Sequence, residues 1–500
     1  MKKLIALFLA LVMMSGCLVL IVGCNGNGTT TPTDIDTDAV DTVVIEEQLE
    51  VPDVTYDGAD FIVYMGGQGV GDGDKFNDWD DENSDYTSVA TAIFKRNKQL
   101  ESLYDVKISN DEHWGTENGS GPSYLKVAEE YASGECTYSL YEVGTMAAAN
   151  LARNGYLYDL NSMPYIALEK SWWDQGAKRD LEIQGKMYYA TGDISVIDNL
   201  NTHNVYFNKE LAKELGINDL YSLVESGAWT LDKYVEYVKL ASKDLNGDDK
   251  RDENDRYGAI IWNDAMQAIF AGCEQRICTI NNDGEIELTY YDEKTVDLVS
   301  KFTDVAFNRE ISYNYVIRLD TWQQWDPTRI GMFANDQALF FLTVLNTFIR
   351  LRNQDVDFGI LPYPKYNEDQ SNYLSYVSGS SSNMVCVGAL MGEEDRERNG
   401  ALIEAAAYYS KKIVTPEYYD YTLKGKLIRD DESSPCLDLI IGNRIFDVGM
   451  YYLIGKYTWD MTEMMKAETN NIASKYQEDF NVAMQEIEKL NSDFLKAGYN

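Results

Sequence analysis

Histidine is almost missing from this chain: the 500 residues contain two, His113 and His203. So few assemble no histidine-based catalytic triad and no histidine metal cluster at a recognisable spacing. There is also no Gly-x-Ser-x-Gly nucleophile elbow and no His-Glu-x-x-His. The glycines at 66, 67, 69, 71 and 73 lack the Gly-x-Gly-x-x-Gly phosphate spacing, and Asp72 and Asp74 beside them would repel a phosphate. Basic charge is the next shortage. Lys and Arg number 43 against 82 Asp and Glu, a formal net charge of −39. Such a field repels a phosphate backbone and argues against nucleic acid as a partner. A neutral ligand or a cation suits it better than an anion, unless a local basic pocket overrides the global field. Cysteine is sparse too. Outside the first 24 residues there remain Cys136, Cys273, Cys278, Cys386 and Cys436, an odd number that matches no zinc spacing. Cys273 and Cys278 are near enough for a local disulfide, and buried free thiols are the other reading. Glycoside hydrolysis needs only two carboxylates, so composition leaves it open.

What the chain does have begins at residue 1. Met1-Lys2-Lys3 is followed by an apolar run from Leu4 to Val22, then Gly23 and Cys24, then a polar stretch that cannot pack. This order reads as a signal peptide over 1–23. Ile21-Val22-Gly23-Cys24 resembles the bacterial lipobox, which implies that Cys24 becomes the lipidated first residue on the extracellular face of the cell membrane. Three other readings exist. About 20 apolar residues can span a bilayer, the signal could be an ordinary secretory one, or the cut could precede Cys17. Ile21 fits the third position before the cysteine better than Met14 does, and Cys24 lies directly before the expected tether. Residues 24–55 read as that flexible tether, with a strand at Val51–Val54 as the alternative. Without residues 1–23 the chain keeps 41 basic and 82 acidic residues.

Five hundred residues with 45% hydrophobic content and nine tryptophans predict a folded protein of two or three domains. Phe61-Ile62-Val63-Tyr64-Met65 predicts a buried strand. A helix is predicted over 88–103, with Val89, Ala92, Ile93, Leu100 and Leu103 inward, and then a strand at Val106-Lys107-Ile108. Strand, helix, strand argues for an α/β domain with a largely parallel sheet. Residues 188–197 read as extended. Asn208 is placed to cap a helix that stops at Gly216, and Thr230 to cap another that runs to about Ser242, with a Trp229–Tyr234 staple. Phe358 to Leu361 reads as a strand ending at Pro362 and Pro364. Ile472, Tyr476, Phe480, Ala483, Ile487, Leu490 and Phe494 predict a C-terminal helix. No internal repeat is found.

Several segments then look familiar together. They are Ala92 to Ile108, Asn154 to Leu160 with Trp172-Trp173, Gly185 to Asp193, Tyr206 to Leu211, Gly227 to Lys233, Asp244 to Asp248, Met332 to Leu339 and Gly359 to Lys365. Their order and spacing resemble the extracellular solute-binding proteins of bacterial ABC importers, in the branch that mostly binds sugars. The likeness covers nearly all of residues 58–500. It implies a binding protein rather than an enzyme, with an oligosaccharide as its small solute and a permease of an ABC transporter as partner. It implies a monomer with a two-lobed, periplasmic-binding-protein-like α/β fold (type II), each lobe a sheet flanked by helices. Lobe one would take 56–191 plus 384–430, and lobe two 195–372 plus 431–500 with the C-terminal helices. The lobes would be joined by crossings near 190–194 and 373–383, where 379–382 could serve as a hinge or be an ordinary polar loop.

Two sets of residues are singled out for chemistry. Asp244, Asn246, Asp248, Asp252 and Asp255, with the carbonyl of Lys250, stand at positions 1, 3, 5, 9, 12 and 7 of an EF-hand-type loop. A hard cation needs six to eight oxygens, and this spacing can wrap them around a calcium ion in a structural role. Asp249 stands where the loop wants Gly, and Asp255 where it wants Glu. The alternative is a solvated acidic turn. For the ligand, a sugar needs an aromatic platform beside polar groups. Trp79 with Asp80, Asp193 with Asp198 and Asn199, Trp262 with Asp264, and Trp322 with Trp325 offer that combination at loop positions, core packing being the other reading for each tryptophan. Trp172 and Trp173 are assigned to packing. A surface glycan-binding adhesin or a glycoside hydrolase is the alternative function. The lipoprotein reading has a direct check: cells fed a palmitate analogue should label the wild-type chain, and the label should vanish when Cys24→Ala and Cys17→Ala are combined.

Overall fold

The structure is a computed structural model that describes residues 47–67, 76–80, 87–116, 118–419 and 432–496. The readings placed on 1–46, Cys17 and Cys24 among them, lie outside the described residues. No helix among the described residues is long and apolar enough to cross a membrane.

The strands are β1 (Ala59–Gly67), β2 (Val106–Trp114), β3 (Leu140–Gly144), β4 (Tyr189–Ala190), β5 (His203–Asn208), β6 (Tyr257–Ile261), β7 (Cys278–Ile280), β8 (Ile286–Leu288), β9 (Ser312–Asn314), β10 (Ala338–Val344), β11 (Phe358–Leu361), β12 (Ser375–Tyr376), β13 (Asn383–Cys386) and β14 (Arg444–Ile445). They build two five-stranded sheets. The first has the order β2-β1-β3-β13-β4, with β1 parallel to both β2 and β3 and β13 antiparallel to its neighbours. The second has the order β11-β5-β10-β6-β9, with β6 parallel to β10 and β9, and β5 antiparallel to β10 and β11. Every residue of β3, β5, β6 and β10 is buried. A strand covered on both faces reads as a continuous apolar run, which is why Ala338 to Val344 shows no alternation. The fold is therefore the predicted α/β one with a sheet and flanking helices in each half.

Local signals explain the helices. The Asn208 side chain accepts from the Leu211 amide at 2.8 Å and opens Lys209–Glu214, and Gly216 takes φ +75° just beyond it. Thr230 caps Leu231–Ala241, with the Trp229 and Tyr234 rings 6.4 Å apart across the start. In Thr87–Tyr104, Val89, Ala92, Ile93 and Leu100 are buried as predicted, whereas Leu103 is exposed. Ile472–Leu495 buries Ile472, Ala483, Ile487, Leu490 and Phe494. Phe480, expected on the same face, lies at the exposed edge instead. Each four-residue step turns a helix about 40° past a full turn, so Tyr476 and then Phe480 walk off the core face. The tether expected to run through residue 55 is anchored from residue 47 on. Leu49 and Val51 pack against the core, and Glu50 meets Lys170 at 3.0 Å. Their apolar side chains reach the core surface, which a free tether would leave in water.

The chain leaves the first sheet at Ala190 and enters the second at His203; it returns between Leu361 and Asn383. The two crossings touch. Thr202 bridges Val377, and the Ser378 amide donates to the Asn201 carbonyl at 3.1 Å. The Asn201 side-chain amide donates to Ser381 at 2.9 Å and to Ile197 at 3.0 Å. β14 adds a third strand of backbone by pairing in parallel with β12. It brings Arg444, whose guanidinium reaches Asp198 at 2.8 Å and Asn199 at 2.6 Å on the first crossing and pairs with Asp174 in the first lobe. All three charges are largely buried. Removing one partner of such a network leaves the others uncompensated in a low dielectric, at about 3–5 kcal/mol. Arg444→Met should therefore lower unfolding stability by about that amount in a urea titration, and Asp198→Asn together with Arg444→Met should recover part of the loss.

Candidate functional site between the sheets

Strand register sets where a ligand can be gripped. Asn383 pairs with Gly144, so the C-terminal ends of β1 and β3 meet the second crossing; His203 pairs with Val344, so the C-terminal ends of β6, β9 and β10 meet the first. Both sheets thus turn their carboxyl ends toward the crossings. In open α/β sheets ligands collect at such ends.

On the first sheet's side, the end of β3 carries Glu142, and residues 76–80 lie against it. Asp78 accepts from the Val196 amide and the Ser195 hydroxyl, both at 2.8 Å, and Ser195 also lies 3.1 Å from Glu142. One hydroxyl hydrogen cannot serve two carboxylates. Burial pushes both acids up, Glu142 well above its usual value, with the Asp78 charge adding to the rise. The pair therefore holds a proton between its members and ties residues 76–80 to the first crossing. Trp79, expected as a platform, is 2% exposed. Its indole donates to Glu142 at 3.1 Å, and Arg96 stacks on its ring at 4.3 Å. The tryptophan reads here as packing, because the indole N–H needs the buried acceptor. Asp80 is partly exposed at the edge of the same segment. Asp193 accepts from Thr415 at 2.6 Å, and burial raises it to about 6. Asp198 is held by Arg444, so neither stands open beside a ring.

The second sheet's side is different. Trp262 follows β6 and stacks on His203, ring centroids 5.7 Å apart; Tyr376 at 5.3 Å and Tyr363 at 6.1 Å complete a box around that imidazole. Burial lowers His203 to about 3, so it is a neutral ring. Trp325 meets Tyr315 edge-on at 5.6 Å. Asp264 joins the two groups, since its charge acts on Tyr315, Tyr363 and Tyr376. Among the described residues, both ring nitrogens of His203, the indole nitrogens of Trp262 and Trp325, the Asn263 oxygen and the Tyr363 hydroxyl are buried without a hydrogen-bond partner. Buried polar atoms normally find partners, so such a concentration points to groups a ligand would satisfy. The structure brings Trp262, Asp264 and Trp325 together; Trp322 opens the helix Trp322–Ala334, and its side chain lies outside the described part. Sequence reasoning missed His203, Tyr315, Tyr363 and Tyr376. They come from four separate stretches of chain, and only the fold makes them neighbours.

Comparison with known proteins follows this geometry. No family model matches the chain, and no curated protein matches it. Solved structures do. The galacto-N-biose/lacto-N-biose I-binding protein of an ABC transporter from Bifidobacterium longum, in complex with lacto-N-biose, aligns with a TM-score of 0.57 at 12% identity over 88% of this chain and 98% of its own. An ABC substrate-binding protein of Listeria monocytogenes, in complex with cycloalternan, aligns at 0.54 and 15% over 86% and 99%. UgpB from Mycobacterium tuberculosis, in complex with glycerophosphocholine, aligns at 0.51 and 13% over 87% and 99%. This chain has the fold of the ABC substrate-binding proteins. These three neighbours are substrate-binding proteins, two in complex with sugars and one with glycerophosphocholine.

The acidic loop 244–255 is described throughout. Asp249 takes φ +60° at the position where Gly is usual. The side-chain oxygens, however, cap the loop's own amides: Asp244 accepts from Gly247 and Asp249, Asp248 from Lys250, and Asp255 from Leu245 and Asp252. Among the described residues no group of three His, Cys, Asp or Glu side chains is placed to hold a metal ion. Cys273 and Cys278 are both free thiols, not a disulfide.

Trp172 and Trp173 pack as expected and share one acceptor. Their indoles donate to Glu404 at 2.9 and 2.8 Å, and burial raises that carboxyl to about 7. A carboxyl whose folded pKa lies above its unfolded value stabilises the fold at low pH and loses that contribution as pH rises through the folded value. Stability should fall between about pH 4.5 and 7 by up to about 1.4 kcal/mol per unit from this group. Tryptophan fluorescence should titrate near pH 7 in the wild type, and both effects should be absent in Glu404→Gln.

Proposed function

We propose that this chain is a lipid-anchored extracellular solute-binding protein, which captures a small solute between its two lobes and delivers it to an ABC permease. An oligosaccharide is the first solute class to consider. The observation that carries the reading is the set of buried, unpartnered polar atoms among the rings of His203, Trp262, Tyr363 and Trp325 at the carboxyl ends of the second sheet. An apolar ring face and a few fixed hydrogen-bonding groups are what a sugar requires. The crossings supply the motion. A solute that touches both lobes only when they approach shifts the balance toward the closed form. Asp78 and Glu142 are the close carboxyl pair a hydrolase reading would choose. Both are fully buried and bonded to Ser195, which leaves no room for a sugar ring and a water between them.

We also propose that calcium occupies the 244–255 loop in a structural role. The spacing of Asp244, Asn246, Asp248, Asp252 and Asp255 with the Lys250 carbonyl, and the left-handed Asp249, support it. Binding requires Asp244, Asp248 and Asp255 to turn oxygens from the loop amides toward the ion. One experiment addresses both proposals: thermal unfolding of residues 28–500 against mono- and oligosaccharides, with and without calcium. A ligand present at 100 times its Kd adds about 2.7 kcal/mol to the folded state, so the true solute should raise Tm and compact the chain in small-angle scattering. A radius unchanged at saturation would count against closure. Calcium should raise Tm in the wild type and not in Asp244→Ala with Asp248→Ala.

A further inference from the structure

The second sheet's side of the cleft holds a carboxylate with no partner in the described structure. Asp264 stands at the N-cap of Ala265–Gly272, where an aspartate ordinarily accepts a bond from the first turn of its helix. Here the side chain makes no such bond. Its backbone, at φ −76° and ψ −7°, is already helical, whereas a capping side chain needs the extended form. Among the described residues the only charge that helps to hold its carboxylate ionised is Lys466, which is itself paired with Glu463 at 3.0 Å.

The acid follows by two residues Trp262, which stacks on His203 with Tyr363 and Tyr376 around the same imidazole. Tyr315, Tyr363 and Tyr376 all lie within reach of its charge. Trp262 is two residues away and half-buried. Beyond Tyr315, the positive charge of Arg329 is turned the other way: it donates to Asp326 and to the Tyr315 hydroxyl, each at 2.7 Å, and Arg350 pairs with the same Asp326. The Asp264 side of the box therefore keeps an excess of negative charge, as does the whole chain at −39.

Resting on the reading of this cleft as the solute site, we propose that the solute carries an ammonium group, seated against Asp264 and the rings of Trp262, Tyr315 and Tyr363. Carboxylate and ring faces together are the pairing that recognises ammonium, and a desolvated cation over an aromatic face gains more than an exposed one. An amino sugar and a quaternary ammonium solute share this chemistry. The remaining donors, the indole N–H groups of Trp262 and Trp325, would then serve hydroxyl oxygens on the rest of the molecule.

Isothermal titration of the full mature chain decides it, with glucosamine, deacetylated chitobiose and choline set beside glucose and cellobiose. At least one ammonium ligand should bind at least tenfold more tightly than every neutral sugar, and Asp264→Asn should lose at least tenfold for that ligand alone. Binding of the amino sugars without choline assigns a sugar amine, and the reverse assigns a quaternary ammonium. Should Asp264→Asn fail to fold, the salt dependence of the wild type replaces it: affinity for the ammonium ligand must fall with ionic strength while that for neutral sugars holds. Neutral sugars that bind as well as the ammonium ligands, or an Asp264→Asn variant that binds unchanged, overturn the inference and leave the transport reading standing. If no ligand binds, both fall.

Discussion

Arg444 is the residue on which the arrangement of the two lobes rests. It comes from β14, a two-residue strand near the end of the chain, and binds Asp174, Asp198 and Asn199, all far earlier in the sequence. Three buried charges would each be costly alone. Together they satisfy one another, and burial then strengthens the attraction rather than opposing it. The consequence is geometric. Asp174 caps the helix Gln175–Leu181, Asp198 sits on the first crossing, and β14 pairs with the second crossing through β12. Three separate stretches of chain are fixed at one point, and the sheets can move only about what remains beside it.

What remains is narrow. The stretch 379–382, expected to absorb rotation, is itself bonded: the Thr145 amide donates to Ser382 at 3.0 Å, and the Asn383 side chain donates to Gly66 at 2.7 Å. Those bonds tie the stretch to the first sheet, and the Asn201 side chain on Ser381 ties it to the first crossing. Between Asn201 and His203 and around Val377 the crossings touch through the Thr202–Val377 bridge, the Ser378 amide on the Asn201 carbonyl and the Asn201 side chain on Ser381. A hinge of a few backbone positions between two rigid sheets is what domain closure requires.

Sequence reasoning reached the elements well and the site unevenly, and the difference has one cause. Asn208, Thr230 and Gly216 act on amides three or four residues away, so their meaning is visible in the local sequence. The run from Phe61 to Met65 is a strand because both its faces are covered, and continuous apolarity records that. The cleft is assembled otherwise. Trp262, His203, Tyr363 and Tyr376 come from four segments spread over more than a hundred residues, joined by the second sheet and by β12 on the second crossing. Trp79 shows the converse. Next to Asp80 and Asp81 it looks like a sugar platform, but Glu142, more than sixty residues away, supplies an acceptor that draws the indole inward. A neighbouring acid in sequence does not say which acid in space the tryptophan will use.

The two sides of the cleft handle buried acid in opposite ways, and that contrast bears on function. On the first side, Asp78 and Glu142 hold a proton between them and bond to Ser195, so their charge is reduced and their geometry is fixed to the crossing. On the second, Asp264 has neither a neighbouring acid to share a proton with nor a donor of its own. A structural carboxylate in a protein interior is normally satisfied by amides, as Asp447 is by those of Ile277, Gly449 and Met450. Asp264 does not use the amides of its own helix, and polar atoms near it in the sequence and on the second sheet also lack partners among the described residues. Of these buried acids, Asp78 and Glu142 share a proton, Asp198 is paired with Arg444, and Asp264 has neither arrangement among the described residues.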